Sequence, residues 1–221
     1  MEKEIVILAK SIKNGGFCIA GKDVNTNEWI RPVSTINGGE LSNEQSKSYF
    51  HNEDGNLVGY PCKILQKVRI NFSEAVPLPY QCENYLIDNS RWMQNYKETE
   101  LVRYLDRPQI LWGTNSDYIN SVDLNTMNPN GNSLYLIQVS NIALYVDNAF
   151  DRRNRRVSFT YSGLAYNLKC TDPNFDIIIG GSSCIQFDSA ILCISLGTPF
   201  SPNPPEIRHY KLVATIYLPE R

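Results

Sequence analysis

A continuous apolar run, Ile5-Val6-Ile7-Leu8-Ala9, opens the chain and predicts a short strand buried on both faces. The Gly15–Gly16 pair then breaks the chain before FCIAGKDV and EWIRPV, which flank Asn25-Thr26-Asn27 as two arms of a hairpin. Pro32 has no N–H to give a ladder, so the second arm should end there or lie at an edge. Residues 34–56 are polar, rich in Gly and Ser and acidic towards their end, and read as a long loop. Alternation returns over 62–72. Cys62, Ile64, Val68, Ile70 and Phe72 share one face, and Lys63, Lys67 and Arg69 the other, interrupted by Leu65.

Met93, Tyr96, Leu101, Tyr104 and Leu105 recur near helical spacing behind Asn89 and Ser90, either of which can cap a helix. The pattern predicts a helix from about 89 to 106, stopped by Pro108. The stretch that follows, to residue 132, is loop-rich. A second β block begins at SLYLIQVSNIALYV and continues through RVSFTY, LAYNLKC, DIIIGG, AILCISLG and HYKLVATIYL. Strands, one helix, then strands again argue for two small β-barrels with a connector, or one larger β assembly, and against alternating βαβ units.

Charge alters this picture at one place. The net charge is −2 over 221 residues, so no global basic field exists, yet residues 152–156 read Arg-Arg-Asn-Arg-Arg. They lead into a hairpin whose Ser162-Gly163 turn sets the register. Tyr161 then faces Leu164, Phe159 faces Tyr166 and Val157 faces Leu168. On the other face Ser158 meets Asn167, and Arg156 meets Lys169. Like charges directly opposite cost up to about 1 kcal/mol. Either Asp147, Asp151, Asp172 and Asp176 quench Arg152, Arg153, Arg155 and Arg156 internally, or phosphates do, for which the guanidinium fork is suited.

Other chemistry is sparse. Cys18, Cys62, Cys82, Cys170, Cys184 and Cys193 show no metal-ligand spacing, and His51 and His209 are the only histidines. Phosphate-loop, dinucleotide-loop and nucleophile-elbow patterns do not occur, and the acidic residues show no paired spacing. No catalytic set, metal or cofactor is expected, and the enzyme case is weak. The N-terminus has no secretory h-region and no run reaches membrane-spanning length, so a cytoplasmic protein without membrane contact is expected.

Several strings carry a resemblance. They are KSIKNGGFCIAGKDVNTNEWIRPVS, the connector LDRPQILWG, then FTYSGLAYNLKCTDP, SLGTPF and HYKLVATI. Their order along nearly the whole chain resembles the bacterial dual-OB domain family. The resemblance implies two OB-type barrels, which with the predicted helix gives a mainly β fold of two small OB-like barrels joined by a helix-containing connector. The boundaries expected are 1–88, 89–132 and 133–221. It also implies nucleic-acid binding, often in defence or mobile-element settings, and carries no catalytic residues over.

OB barrels hold single strands with a basic groove and aromatic platforms. Trp29 and Arg31 share a strand face, and with Lys10 and Lys13 they form one candidate surface; Trp29 as core and Arg31 as an ion-pair partner is the alternative. Lys63, Lys67 and Arg69 form a second, and Arg152, Arg153, Arg155, Arg156 and Lys169 a third. The expectation is a non-catalytic binder of single-stranded DNA or RNA. Two alternatives stand beside it: an adaptor subunit with a protein partner using 34–56 and 113–132, and a small-nucleotide sensor or hydrolase.

Overall fold

The computed structural model describes residues 1–13, 15–148 and 153–219, with the side chain of Lys13 excepted. The chain divides into two compact units, Met1–Tyr104 and Leu105–Arg221. The first contains β1 (Glu2–Lys13), β2 (Gly16–Asp23), β3 (Trp29–Val33), β4 (Lys47–His51), β5 (Leu57–Pro61), β6 (Gln66–Ala75), β7 (Asn84–Ile87) and β8 (Trp92–Lys97). Their order in the sheet is β1-β2-β3-β7-β6-β8-β4-β5, and an added β1–β6 pairing closes β1, β2, β3, β7 and β6 into a five-strand barrel. β3 and β7 run parallel, while β1 pairs antiparallel with both β2 and β6.

The apolar pattern explains the closure. Ile5, Ile7, Ile19, Ile30, Val68, Ile70 and Phe72 point inward and form one cluster. Val6 and Leu8, on the alternate positions of β1, are equally hidden, so this strand is buried on both faces as its continuous apolar run predicts. β1 and β2 cross so closely that a Cβ on Gly21 would lie 2.1 Å from the Val6 carbonyl oxygen. Pro32 sits one residue inside the end of β3. It avoids losing a ladder bond to β2 because β2 pairs with β3 only at Trp29 and Ile30.

The second unit contains β9 (Tyr118–Asn120), α1 (Leu124–Met127), β10 (Leu134–Asp147), β11 (Asn154–Tyr161), β12 (Leu164–Cys170), α2 (Phe175–Ile179), β13 (Cys184–Leu196), β14 (Phe200–Asn203) and β15 (Glu206–Tyr217). Here β12-β11-β10-β13-β15 close through a β12–β15 pairing, and that pairing is again parallel. The two units therefore repeat one plan. First, second and third strands are followed by a fifth lying parallel to the third and a fourth returning to the first, the OB-like barrel. Ser162 and Gly163 have φ of 48° and 77°, the mirror-image turn whose twist suits a hairpin. The β11–β12 register pairs Arg156 with Lys169, Ser158 with Asn167 and Phe159 with Tyr166, as the sequence predicts.

Three expectations are corrected. The predicted helix over 89–106 is instead β8 followed by a short 3-10 turn, Leu101–Tyr104. Asn89 adopts φ 63°, Ser90 gives its N–H to the Asp88 carboxylate, and Tyr96, needed for the helical stripe, is 82% exposed. Pairing of β8 with β6 and β4 outweighs the local spacing. The expected loop 34–56 contains β4, which forms a hairpin with β5. DIIIGG is not a strand but the single helical turn α2, ended by Gly180 at φ 60°. Among the described residues no helix is long and apolar enough to cross a membrane.

Candidate nucleic-acid interface

Barrels of this topology hold oligonucleotides across the outward face of the second and third strands, edged by the loops joining first to second and fourth to fifth. In the first barrel that face is built from β2 and β3, and it is filled by the chain itself. Lys22 is 2% exposed, donates to the Tyr104 carbonyl at 2.8 Å, and lies 5.3 Å from the centroid of the half-buried Trp29 ring. The buried Arg31 pairs through Nε with Glu83 Oε1 at 3.2 Å, and its N–H donates to the Glu83 carbonyl. Arg31 is thus an internal ion-pair partner rather than an open phosphate ligand.

Lys10 is similarly engaged. Its ammonium donates to the Cys62 carbonyl at 2.8 Å and lies 4.7 Å from the Phe17 centroid, and burial lowers its pKa. The Lys13 side chain lies outside the described residues. On β6, Lys67 pairs with Glu98 at 3.0 Å. Glu98 is pulled down to about 2, first by the N–H of Glu100, with Lys67 and the Tyr104 hydroxyl adding to the effect. Lys63 and Arg69 are exposed and make no ion pair among the described residues. The Lys10, Trp29 and Arg31 grouping therefore does not form an open groove. The expected three-cation strand face is also corrected: Lys63 lies before β6, ahead of a turn in which Leu65 adopts φ 65°, so only Lys67 and Arg69 share the strand face.

In the second barrel the corresponding face belongs to β11 and β12, and the Arg cluster borders it. Arg152 lies outside the described residues. Arg153 and Arg155 both reach Asp176 on α2, Arg153 at 3.0 Å, and Arg155 also lies over the Phe175 ring. For these two the internal salt-bridge reading holds. Their partner is the nearby Asp176, while Asp172 is buried, its pKa raised by burial, and spends its oxygens on the N–H groups of Asn174 and Ile216.

Arg156 behaves differently because its position on β11 turns it outward, away from α2. It folds over Asn167, donating to the side-chain oxygen at 3.1 Å and the carbonyl at 2.8 Å, and reaches Asp117 only at 4.0 Å. Lys169, directly opposite, is exposed and has no acidic partner among the described residues. The pair is only partly exposed, but at 4.0 Å it is too long for a hydrogen bond, so it neutralises Arg156 incompletely. The juxtaposition of two cations foreseen from the register therefore persists in the fold.

The face continues onto β15. Lys169 pairs with Leu212, and Arg208, Tyr210 and Leu212 alternate onto the same side. Tyr118 on β9 lies opposite Tyr210, and Phe200 on β14 opposite Arg208. Sequence reasoning missed these residues. The period of two through Arg208, Tyr210 and Leu212 is a usable signal, but Phe200 stands in the Pro-rich TPFSPNPP, where no periodicity marks a strand.

His209, on the inward side of the same strand, is 1% exposed and kept below its usual pKa by burial. Its Nδ1 must donate to the Gly197 carbonyl at 3.0 Å, so Nε2 accepts from the Ser121 hydroxyl at 3.0 Å, and the ring ties β15 to its neighbours. All six cysteines are free thiols, and burial pushes Cys62 and Cys170 up to about 12, which makes them poor nucleophiles. Among the described residues no cluster of three His, Cys, Asp or Glu is arranged to hold a metal ion.

A family model described as dual OB-containing domain matches residues 3–216. No curated protein and no solved structure matches the chain.

Proposed function

Because the chain belongs to the dual OB-containing domain family, we propose that it binds single-stranded nucleic acid across the outward face of β11 and β12. The observation that carries this reading is the Arg156–Lys169 pair, two cations on directly opposed positions of β11 and β12, with Arg156 folded over Asn167 and its one carboxylate, Asp117, no nearer than 4.0 Å. A phosphate between them relieves their repulsion and takes charge-assisted hydrogen bonds from both. Arg153 and Arg155 border the site and add positive potential, although Asp176 shares their charge. Lys63, just before β6, and Arg69 on β6 are secondary contacts.

The net charge of −2 does not oppose this. Screening confines each charge to roughly 8–10 Å at physiological salt, so the local cluster decides what a strand meets. The first barrel, whose equivalent face is filled by Tyr104 and Glu83, has a structural role in this reading. Free thiols throughout suit a reducing compartment such as the cytoplasm.

Fluorescence anisotropy with labelled single-stranded DNA, single-stranded RNA and duplex tests the proposal. The single strands bind and the duplex binds more weakly. Combining Arg156→Ala with Lys169→Ala removes most of the affinity while the melting temperature stays near that of the parent protein. Absence of binding by micromolar protein at low salt overturns it.

A further inference from the structure

The three-ring cluster beside the cationic pair has a chemistry of its own. Tyr118 and Tyr210 lie 5.8 Å apart between centroids, and Phe200 and Tyr210 6.2 Å apart. The Arg208 guanidinium covers Tyr118 at 4.1 Å and also meets the Tyr210 hydroxyl at 3.4 Å. Arg208 is itself held by a two-pronged contact with Glu206, at 2.8 and 2.7 Å. Its charge is thus already matched, and what the cluster offers a ligand is ring surface rather than positive potential.

Phe200 has no polar atom and is 58% exposed. A lone exposed phenyl on a surface is ordinary. An open phenyl at the end of a row of contacting rings, on the sheet face that carries Arg156 and Lys169, is a different matter. Register sets Tyr118 opposite Tyr210 and Phe200 opposite Arg208, and the ring contacts gather the three on one sheet face, where a flat ligand can meet them together.

We propose that Phe200, with Tyr210 and Tyr118, forms a stacking site for unpaired nucleobases, adjoining the phosphate contacts at Arg156 and Lys169. This rests on the nucleic-acid reading above and adds what it lacks, the reason for preferring single strands. Bases in a duplex are stacked on one another and cannot present their faces to Phe200. Stacking accepts any base, so the site confers strand selectivity without sequence selectivity.

The test uses the full chain and a single-stranded DNA of about 12 nucleotides carrying 2-aminopurine, with an abasic version as control. Binding by the parent protein changes the 2-aminopurine emission. Phe200→Ala abolishes that change and weakens binding about 5- to 150-fold, the range for one lost stack, whereas Phe200→Tyr restores both. The slope of affinity against salt is the same for Phe200→Ala as for the parent, because no phosphate contact is lost. Phe200 is exposed, so the variant keeps the parent melting temperature. If binding depends on Arg156 and Lys169 but is unmoved by Phe200→Ala and by the abasic substitution, the stacking site is refuted and the cationic site stands. If the parent protein binds no single strand, both fall.

Discussion

At residue scale the two barrels treat their cations in opposite ways. Arg31 is drawn inside against Glu83, and removing the guanidinium takes the charged partner from a buried carboxylate, so Arg31→Ala should cost about 3–5 kcal/mol of stability by urea unfolding. Nucleic-acid affinity per folded molecule should stay unchanged, which separates a structural arginine from a contact residue. Glu98 gives a pH signature. Its folded pKa of about 2 lies below the ordinary value of 4.5, so its stabilising contribution is complete above 4.5 and is lost as pH falls towards 2. In Glu98→Gln the fall in the denaturation midpoint over that acid interval should be shallower, and an unaltered acid limb would argue against the Glu100 and Lys67 contacts. Neither pairing is legible in the sequence. Glu83 and Arg31 meet only because β3 and β7 run side by side, and Asp117 reaches Arg156 only because β9 extends the sheet beside β15.

At the scale of elements, legibility follows how local the determining forces are. The β11–β12 hairpin was readable because its turn residues and alternation together fix one register. The β1 run was readable as a strand buried on both faces because nothing polar interrupts it. The stretch 89–106 hides its strand because Trp92 is buried through partners distant in sequence, β4 and β6, while Met93 and Tyr96 mimic a helical stripe. α2 hid within an apolar string because one turn is too short to show a period. The β1–β2 crossing makes a sharper demand than any pattern reveals. Gly21→Ala pushes a methyl against the Val6 carbonyl, and a loss of about 1–3 kcal/mol, read from thermal unfolding, is expected. An unshifted melting temperature would contradict that close approach.

Over the whole molecule, one barrel plan occurs twice with two uses of the same surface. The first barrel closes its second- and third-strand face with Lys22, Tyr104, Arg31 and Glu83; the second leaves that face to Arg156, Asn167 and Lys169 and extends it with aromatic rings. The resemblance in the sequence indicated the plan, but not this asymmetry, which depends on which side chains fold back. The central claim is that the open face of the second barrel neutralises phosphates. The most direct measurement is the affinity for a single strand across a salt series, for the parent protein and for the variant combining Arg156→Ala with Lys169→Ala. Log affinity should fall linearly with log salt, and the variant's slope should be shallower by about 1.4, from roughly 0.7 for each lost contact. An identical slope, or no binding at low salt, would contradict the account.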